Sequence, residues 1–384
     1  MRISRHKLVS RLPYDGQGLR RTDDARLAGL REWAARLYRR RLPLWLRPLM
    51  PLTRLAFGLV TVQRTRAFAR RAGLDGRERR RVLMDCLASG AQPVEAFAWR
   101  ACFSSRHPLP GRAAGLLLWS LGDPATHRLL LDKQATGAML QRAGIATPAI
   151  HAVIPRGGAP DFSRPIWTRP GTLFIKPRRG SGARGSYTVT IGDKGLSASI
   201  ARHITFLASH DDLLVQDRIG AAPGLADLAA SGRPPVLRIA VARPVGGKPF
   251  VHAANLSIHA PRENPRNFLS GHLRTPVDID SGQLGAAFSF REAGRRFERL
   301  PWNDAPLAGR LLDAWPAAAA MALRAMELVP DLPLVAWDII PAVAGPVILE
   351  GNTGGDWILT SLGAGNTDLV GLLQEWRRYN NTAE

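Results

Sequence analysis

"VILEGNTGGDW", residues 347–357, begins as an apolar strand-like run and ends by placing an acid and an amide, Glu350 and Asn352, two positions apart. Side chains alternate faces along a strand, so these two share one face, roughly 6–7 Å apart. A second apolar run, Leu334 to Ile340, precedes it across a short turn carrying Pro and Gly around residues 342–345. That pattern predicts a β-hairpin. With the turn centred near Ala344, antiparallel pairing sets Asp338 opposite Glu350, at a cross-strand distance of roughly 5 Å. Three oxygen-bearing side chains then converge. Two carboxylates this close repel unless a cation lies between them, and hard oxygen donors with open positions suit Mg²⁺ shared with phosphate. Spacing alone equally allows a sheet edge whose polar residues face water, so the rest of the chain has to choose.

At 384 residues with 45% hydrophobic content and no low-complexity tract, the chain is long enough for two or three domains with cores of their own. Its 53 basic residues exceed its 31 acidic ones by 22. The surplus is uneven: residues 1–110 hold 24 basic and 8 acidic side chains, a net +16. That front part is expected to face something anionic, such as membrane lipid, a phosphorylated sugar or nucleic acid. Two cysteines, Cys86 and Cys102, are too few for a disulfide framework or a zinc site and read as buried free thiols in a reducing compartment. The first sixteen residues have charge but no apolar core, so no secretory signal is expected. Residues 42–62 are apolar but interrupted by Arg47, Arg54 and three prolines, and they are not expected to span a membrane. Trp45 and Phe57 between two arginine clusters fit either the headgroup layer of a bilayer or a pair of core helices with solvated basic faces.

Helical spacing dominates residues 1–110. A helix is expected from about 126 to 143, closed by Gly144, with a strand near 150–154 and a Pro/Gly-rich linker from Pro155 to Gly171. "TLFIKP" and "SYTVTI" read as short strands joined by the glycine-rich turn "RRGSGARG". "DLLVQDRI" and "VLRIAVARPVGGKPFVHAANLSIHA" add three more, the last two joined at "GG". Short strands mixed with helices, lacking a regular βαβ alternation, predict an α+β fold. Trp302, Trp315 and Trp337 are expected to be core anchors.

Lys176 leaves a strand just before a loop containing Gly180, Gly182 and Gly185. Glycines let backbone amides approach a polyphosphate closely, and a lysine adds a point charge. The lysine precedes the glycines and no GKS/T follows, so this is not a Walker loop. Alone, such a hairpin is also an ordinary exposed turn.

Taken in order, "DKQATGAML", "LFIKPRRGSGARGS", "LLVQDRI", "VLRIAV", "WDII" and "ILEGN" resemble the landmarks of ATP-grasp enzymes from about Asp132 to Leu362. The "LRI" strand, the "VDIDSG" turn and the "WDII…GPVILEGN" ending resemble most closely the sugar-transfer-associated group found among bacterial polysaccharide genes. The resemblance implies ATP and Mg²⁺ as cofactors and a division into a basic helical region (1–110), a pre-ATP-grasp segment with the lid (111–215) and an ATP-grasp core with the metal site (216–384). It implies that Lys133 and Lys176 hold ATP phosphates beneath a flap containing Gly180, Ser181, Gly182, Gly185 and Ser186. Gln216, Asp217 and Ile219 would form the hinge that reads adenine, with Asp217 where a glutamate is usual. Arg238 would face the transferred phosphoryl group or the carboxylate, and Asp338, Glu350 and Asn352 would bind Mg²⁺. Asn267, His272 and Arg274, in a stretch that also reads as a solvated surface hairpin, are the substrate-side candidates. The implied reaction is ATP-dependent ligation of a sugar-linked or small-molecule carboxylate to an amine at the inner face of the membrane or in the cytoplasm. Phosphorylation of a sugar hydroxyl stays open beside it. Nucleic acid is the weaker expectation, because the arginines lack aromatic interleaving and no zinc-finger or RNP-like pattern is present.

Overall fold

The computed structural model describes residues 25–41, 43–102, 117–180, 185–193, 195–229, 232–261, 272–289, 295–353 and 368–382. Ser181, Gly182, Lys194 and Asn267 lie outside them. Four helices come first: α1 (Ala25–Arg41), α2 (Met50–Ala72), α3 (Gly76–Ser89) and α4 (Pro93–Cys102). Helix α3 starts on a capping box, in which the Asp75 carboxylate accepts from Glu78 N and Glu78 returns the bond to Asp75 N. It ends on Gly90, whose φ of 70° closes the helix in the left-handed conformation. Cys86 on α3 is buried and free, and burial pushes its thiol far up, out of reach of neutral pH.

The single helix expected over 126–143 is two, α5 (Pro124–Leu131) and α6 (Lys133–Arg142). The break is Asp132, held in an extended conformation while its carboxylate accepts from Gln134 N and Ala135 N. Aspartate competes with the helix through such local bonds, which is why it caps better than it continues. Lys133 therefore occupies the first position of α6.

Strands β1 (Ile150–Ile154), β2 (Gly171–Pro177), β3 (Tyr187–Ile191) and β4 (Leu213–Asp217) make an antiparallel sheet in the order β1-β4-β2-β3. Its inner face packs on α7 (Ala198–Ala208) through Leu173, Ile175, Val189, Ile204 and Val215. The division expected at 215/216 falls within β4, all of which pairs in this sheet. Strands β5 (Val236–Ala242), β6 (Phe250–His259), β7 (His272–Pro276), β8 (Ala287–Ser289), β9 (Arg296–Phe297), β10 (Leu334–Ala342) and β11 (Gly345–Asn352) form a seven-stranded antiparallel sheet ordered β11-β10-β5-β6-β7-β8-β9. One face, with Leu237, Ile239, Val335, Trp337 and Ile339, packs on α8 (Trp315–Glu327). The other offers Ala240, Ala242, Ala253 and Ala336 to α1, α3, α4 and the last helix, α9 (Leu369–Thr382). Small side chains there let the helices close on the strands without voids. Trp315 and Trp337 are core residues, and Trp302 packs partly buried against the same cluster.

Candidate active site

The hairpin β10–β11 pairs Asp338 with Glu350, although its turn is not centred on Ala344. From Ala342↔Gly345 the register runs evenly to Ile339↔Ile348, which by itself sets Asp338 opposite Leu349. A bulge inserts Leu349 as an extra residue, and the register resumes at Asp338↔Glu350, Trp337↔Gly351 and Ala336↔Asn352. Directly paired residues share a face, so the bulge carries Glu350 and Asn352 to the side occupied by Asp338. It also presents the Leu349 carbonyl, which lies 3.5 Å from Lys176 Nζ.

Gly351 separates the two polar residues because nothing larger fits. A Cβ there would stand 2.6 Å from the ring of Trp337, which is fully buried. Gly351→Ala is expected to push β11 off that ring and destabilise the protein by about 1–3 kcal/mol. A thermal melt superimposable on wild type would show that the strand yields without strain.

Lys176 reaches the hairpin from β2. Leu173 and Ile175 point into the core of the small sheet, so alternation turns Lys176 the opposite way, where it is 6% exposed. Burial lowers its pKa to about 8, opposed by the Glu350 and Asp338 charges and aided by Lys133. Lys133 arrives from the start of α6, its Nζ 2.7 Å from the Gly180 carbonyl and 3.4 Å from Glu350 Oε2. Asp132 fixes that helix start by pairing with Arg178 at 2.7 Å, while Lys133 N donates to the Arg178 carbonyl. Burial pushes the Asp132 carboxyl up, but the Arg178 guanidinium and the Ala135 and Gln134 amides outweigh it and hold it below the usual carboxylate range. Gly180 and Gly185, both at positive φ, flank the loop whose Ser181 and Gly182 are not described, and half-buried Ser186 leads into β3.

Arg238 is engaged by Asp338. Its Nε and Nη2 donate to the two carboxylate oxygens of Asp338, each at 2.7 Å, and both residues are 7% exposed. They are direct cross-strand neighbours on β5 and β10, so opposite charges meet with the strands fully paired. Asn352 Nδ2 donates to the same carboxylate at 3.2 Å and to the Ala336 carbonyl at 3.3 Å. Among the described residues no group of three His, Cys, Asp or Glu side chains is placed to hold a metal ion. Glu350 and the Asn352 amide oxygen nevertheless fit a hard cation as donors on one face. Asp338 can add only what remains of its lone pairs after Arg238 and Asn352.

On the hinge, Gln216 is buried within β4, whereas Asp217 is exposed, and half-buried Ile219 follows the strand. The Asp217 amide donates to the Ala149 carbonyl, and its carboxylate pairs with His151 at 2.6 Å. The described part of the substrate-side stretch, from His272 on, is buried in the large sheet and not solvated. His272 and Arg274 lie in β7 inside the large sheet, 9% and 3% exposed, with a His272 ring nitrogen 3.1 Å from Ser257 Oγ. Through the pairs Arg274↔Ser257 and Arg238↔Asn255 they share the face of Arg238, two strands away, and of Asp338, three strands away. Asn255 and Ser257, which sequence reading passed over, complete this buried polar band. Their only signal was alternation in "ANLSIH".

A search of curated protein sequences finds no match. Among solved structures, the chain is similar to the VanG D-Ala:D-Ser ligase from Enterococcus faecalis, at 13% identity and TM-score 0.42, covering 67% of this chain and 63% of that one. It spans less than two thirds of that ligase. The D-alanine-D-alanine ligase from Coxiella burnetii shares 13% identity at TM-score 0.42, over 71% of this chain and 67% of its own. Biotin carboxylase from Campylobacter jejuni shares 12% at TM-score 0.42, over 69% of this chain and 47% of its own. A protein-family profile described as sugar-transfer associated ATP-grasp matches residues 120–375, which hold both lysines, the polar band and the β10–β11 hairpin. The chain belongs to the sugar-transfer associated ATP-grasp family.

Proposed function

We propose that the protein is an ATP-dependent carboxylate–amine ligase working on a sugar-linked or small-molecule acid in the assembly of bacterial polysaccharide or a sugar conjugate. Membership of the family implies ATP binding and a domain typical of ATP-dependent ligases. The observation that carries the reading is the meeting of Lys133 and Lys176, from the small-sheet side, with Glu350 on the edge strand of the large sheet. Two cations converge beside a carboxylate at the seam between the sheets, as a polyphosphate requires.

In the proposed reaction the two lysines hold the phosphates, and a carboxylate oxygen of the acid attacks the γ-phosphorus. The bond to the β,γ-bridging oxygen breaks, leaving ADP and an acyl phosphate. The amine nitrogen then attacks the carbonyl carbon, inorganic phosphate leaves and the nitrogen loses a proton. Arg274 and His272, on the same sheet face as Arg238, are the proposed contacts to the acid. Mg²⁺, held by Glu350 and Asn352 with Asp338 behind them, would supply charge neutralisation at the phosphates. ATP is accordingly expected to bind at least tenfold more weakly in chelator than in magnesium, read by calorimetry. Equal affinities would remove the metal from the site.

Nucleotide affinity is also expected to fall as pH rises through about 8. There the buried Lys176 loses its proton, and phosphate binding then has to restore it. Lys176→Arg should flatten that dependence, and a wild-type profile level from pH 7 to 9 would show that Lys176 does not meet phosphate. Ligation itself is tested by following ADP release against paired acids and amines. Release that needs both supports the reading, whereas release with an alcohol-bearing sugar alone makes the enzyme a kinase.

A further inference from the structure

Helix α2 has a buried side, Thr61, Thr65, Phe68 and Ala69, and an opposite side that is exposed among the described residues. Leu52, Leu55 and Leu59 are 63%, 60% and 62% exposed. Steps of three and four residues place them in one stripe, which continues through the exposed Gln63, Arg66 and Arg70. Leu44, in the 3₁₀ turn Leu44–Leu49 just before the helix, is 74% exposed. A lone surface leucine needs no explanation, but a contiguous row marks an interaction surface. At the junction of α1, the 3₁₀ turn and α2, a cleft of about 390 Å³ is lined by Arg39, Arg47, Pro48, Met50, Pro51 and Arg54. Pro51 in the cleft and Leu55 in the stripe are four residues apart and so adjacent on the helix surface, and the cleft borders the stripe there. Between Glu32 and Asp75 the chain carries ten arginines and no acidic residue.

Charge of one sign around an apolar row decides the partner. Nucleic acid would satisfy the arginines and leave the leucines in water, and a second copy would set arginine clusters against each other. A bilayer of anionic phospholipid satisfies both, apolar at the depth of the leucines and negative at the level of the guanidinium forks. No helix among the described residues is long and apolar enough to cross a membrane. We propose that α2 lies flat on an anionic phospholipid surface, with Leu52, Leu55 and Leu59 inserted at the acyl boundary and a lipid phosphate held in the Arg39–Arg47–Arg54 cleft. This surface is separate from the nucleotide site and does not depend on the ligase reading.

Flotation of the full chain with phosphatidylcholine vesicles, with and without added phosphatidylglycerol and at low and high salt, tests the proposal. The protein is expected to float only with the anionic vesicles and to be released by salt. Leu55→Glu combined with Leu59→Glu should lower the bound fraction by about tenfold or more. Arg47→Ala or Arg54→Ala should each lower it by about fivefold. All these side chains belong to other elements than Lys133, Lys176 and Glu350, so ATP binding by every variant, measured in parallel, is expected to match wild type and to confirm folding. Several results would overturn the proposal: protein that stays in solution with anionic vesicles at low salt, leucine variants that float like wild type, a wild-type dimer that the same variants dissociate, or duplex DNA that displaces the vesicles at equal phosphate concentration.

Discussion

Asp338→Asn is expected to unfold the protein far more readily than Glu350→Gln, although each neutralises one carboxylate on the same face of one hairpin. Asp338 accepts from both Nε and Nη2 of the Arg238 fork, and both groups are buried. Neutralising it breaks this buried, bidentate ion pair, a change that destabilises by about 3–5 kcal/mol. Glu350 is a quarter exposed on its side chain and meets Lys133 at 3.4 Å, so Glu350→Gln should change stability by no more than about 1 kcal/mol. Both variants should lose turnover. A paired Arg238→Met, Asp338→Leu variant should recover most of the stability lost by Asp338→Asn and none of the activity. Thermal melts of the three variants check this, and equal melting temperatures for Asp338→Asn and Glu350→Gln would show that the Arg238 pair contributes nothing to the fold.

Lys176→Ala is expected to weaken ATP binding by about 10–100-fold, the loss of one hydrogen bond from a charged donor in a dry site. Lys248→Ala, in the exposed turn between β5 and β6, should leave affinity unchanged. The same Lys176→Ala change should not destabilise the protein and is expected to raise its melting temperature slightly. Burial has already pushed the ammonium down to about 8, so its removal relieves a charge that folding disfavours. Weaker nucleotide binding in a protein at least as stable is the signature of a group kept for function. Weaker binding together with a large fall in melting temperature would make Lys176 a structural residue.

Much of this arrangement was legible because strands have a strict period of two. Alternation alone sets Glu350 and Asn352 on one face, turns Lys176 away from Leu173 and Ile175, and predicts the strands on either side of the glycine turn. The pairing of Asp338 with Glu350 was read correctly from a turn that is in fact centred half a residue earlier, and the Leu349 bulge makes up the difference. A bulge leaves no mark in a run such as "VILEGN", because every residue there suits a strand. Asp132 was hidden for a related reason. Apolar spacing continues across it, and only the competition between its side chain and the helix backbone reveals the break. The Arg238–Asp338 pair joins residues 100 positions apart through a neighbouring strand. Sequence can mark each as a polar residue inside a buried strand, but only the sheet order β10-β5 shows that they neutralise one another.

The most direct test of the central claim, that a carboxylate is activated as an acyl phosphate, is trapping with hydroxylamine. The full-length protein is incubated with ATP, Mg²⁺, hydroxylamine and a panel of sugar-linked and small acids, and ADP and hydroxamate are measured together. Hydroxylamine attacks the carbonyl carbon of an acyl phosphate, releasing phosphate and leaving a hydroxamate, while a phosphate ester of a sugar hydroxyl does not react. The account predicts hydroxamate formed one for one with ADP on the acid that the enzyme accepts, and neither product with Glu350→Gln. ADP formed together with a phosphorylated sugar that survives hydroxylamine, and no hydroxamate from any acid, would contradict it.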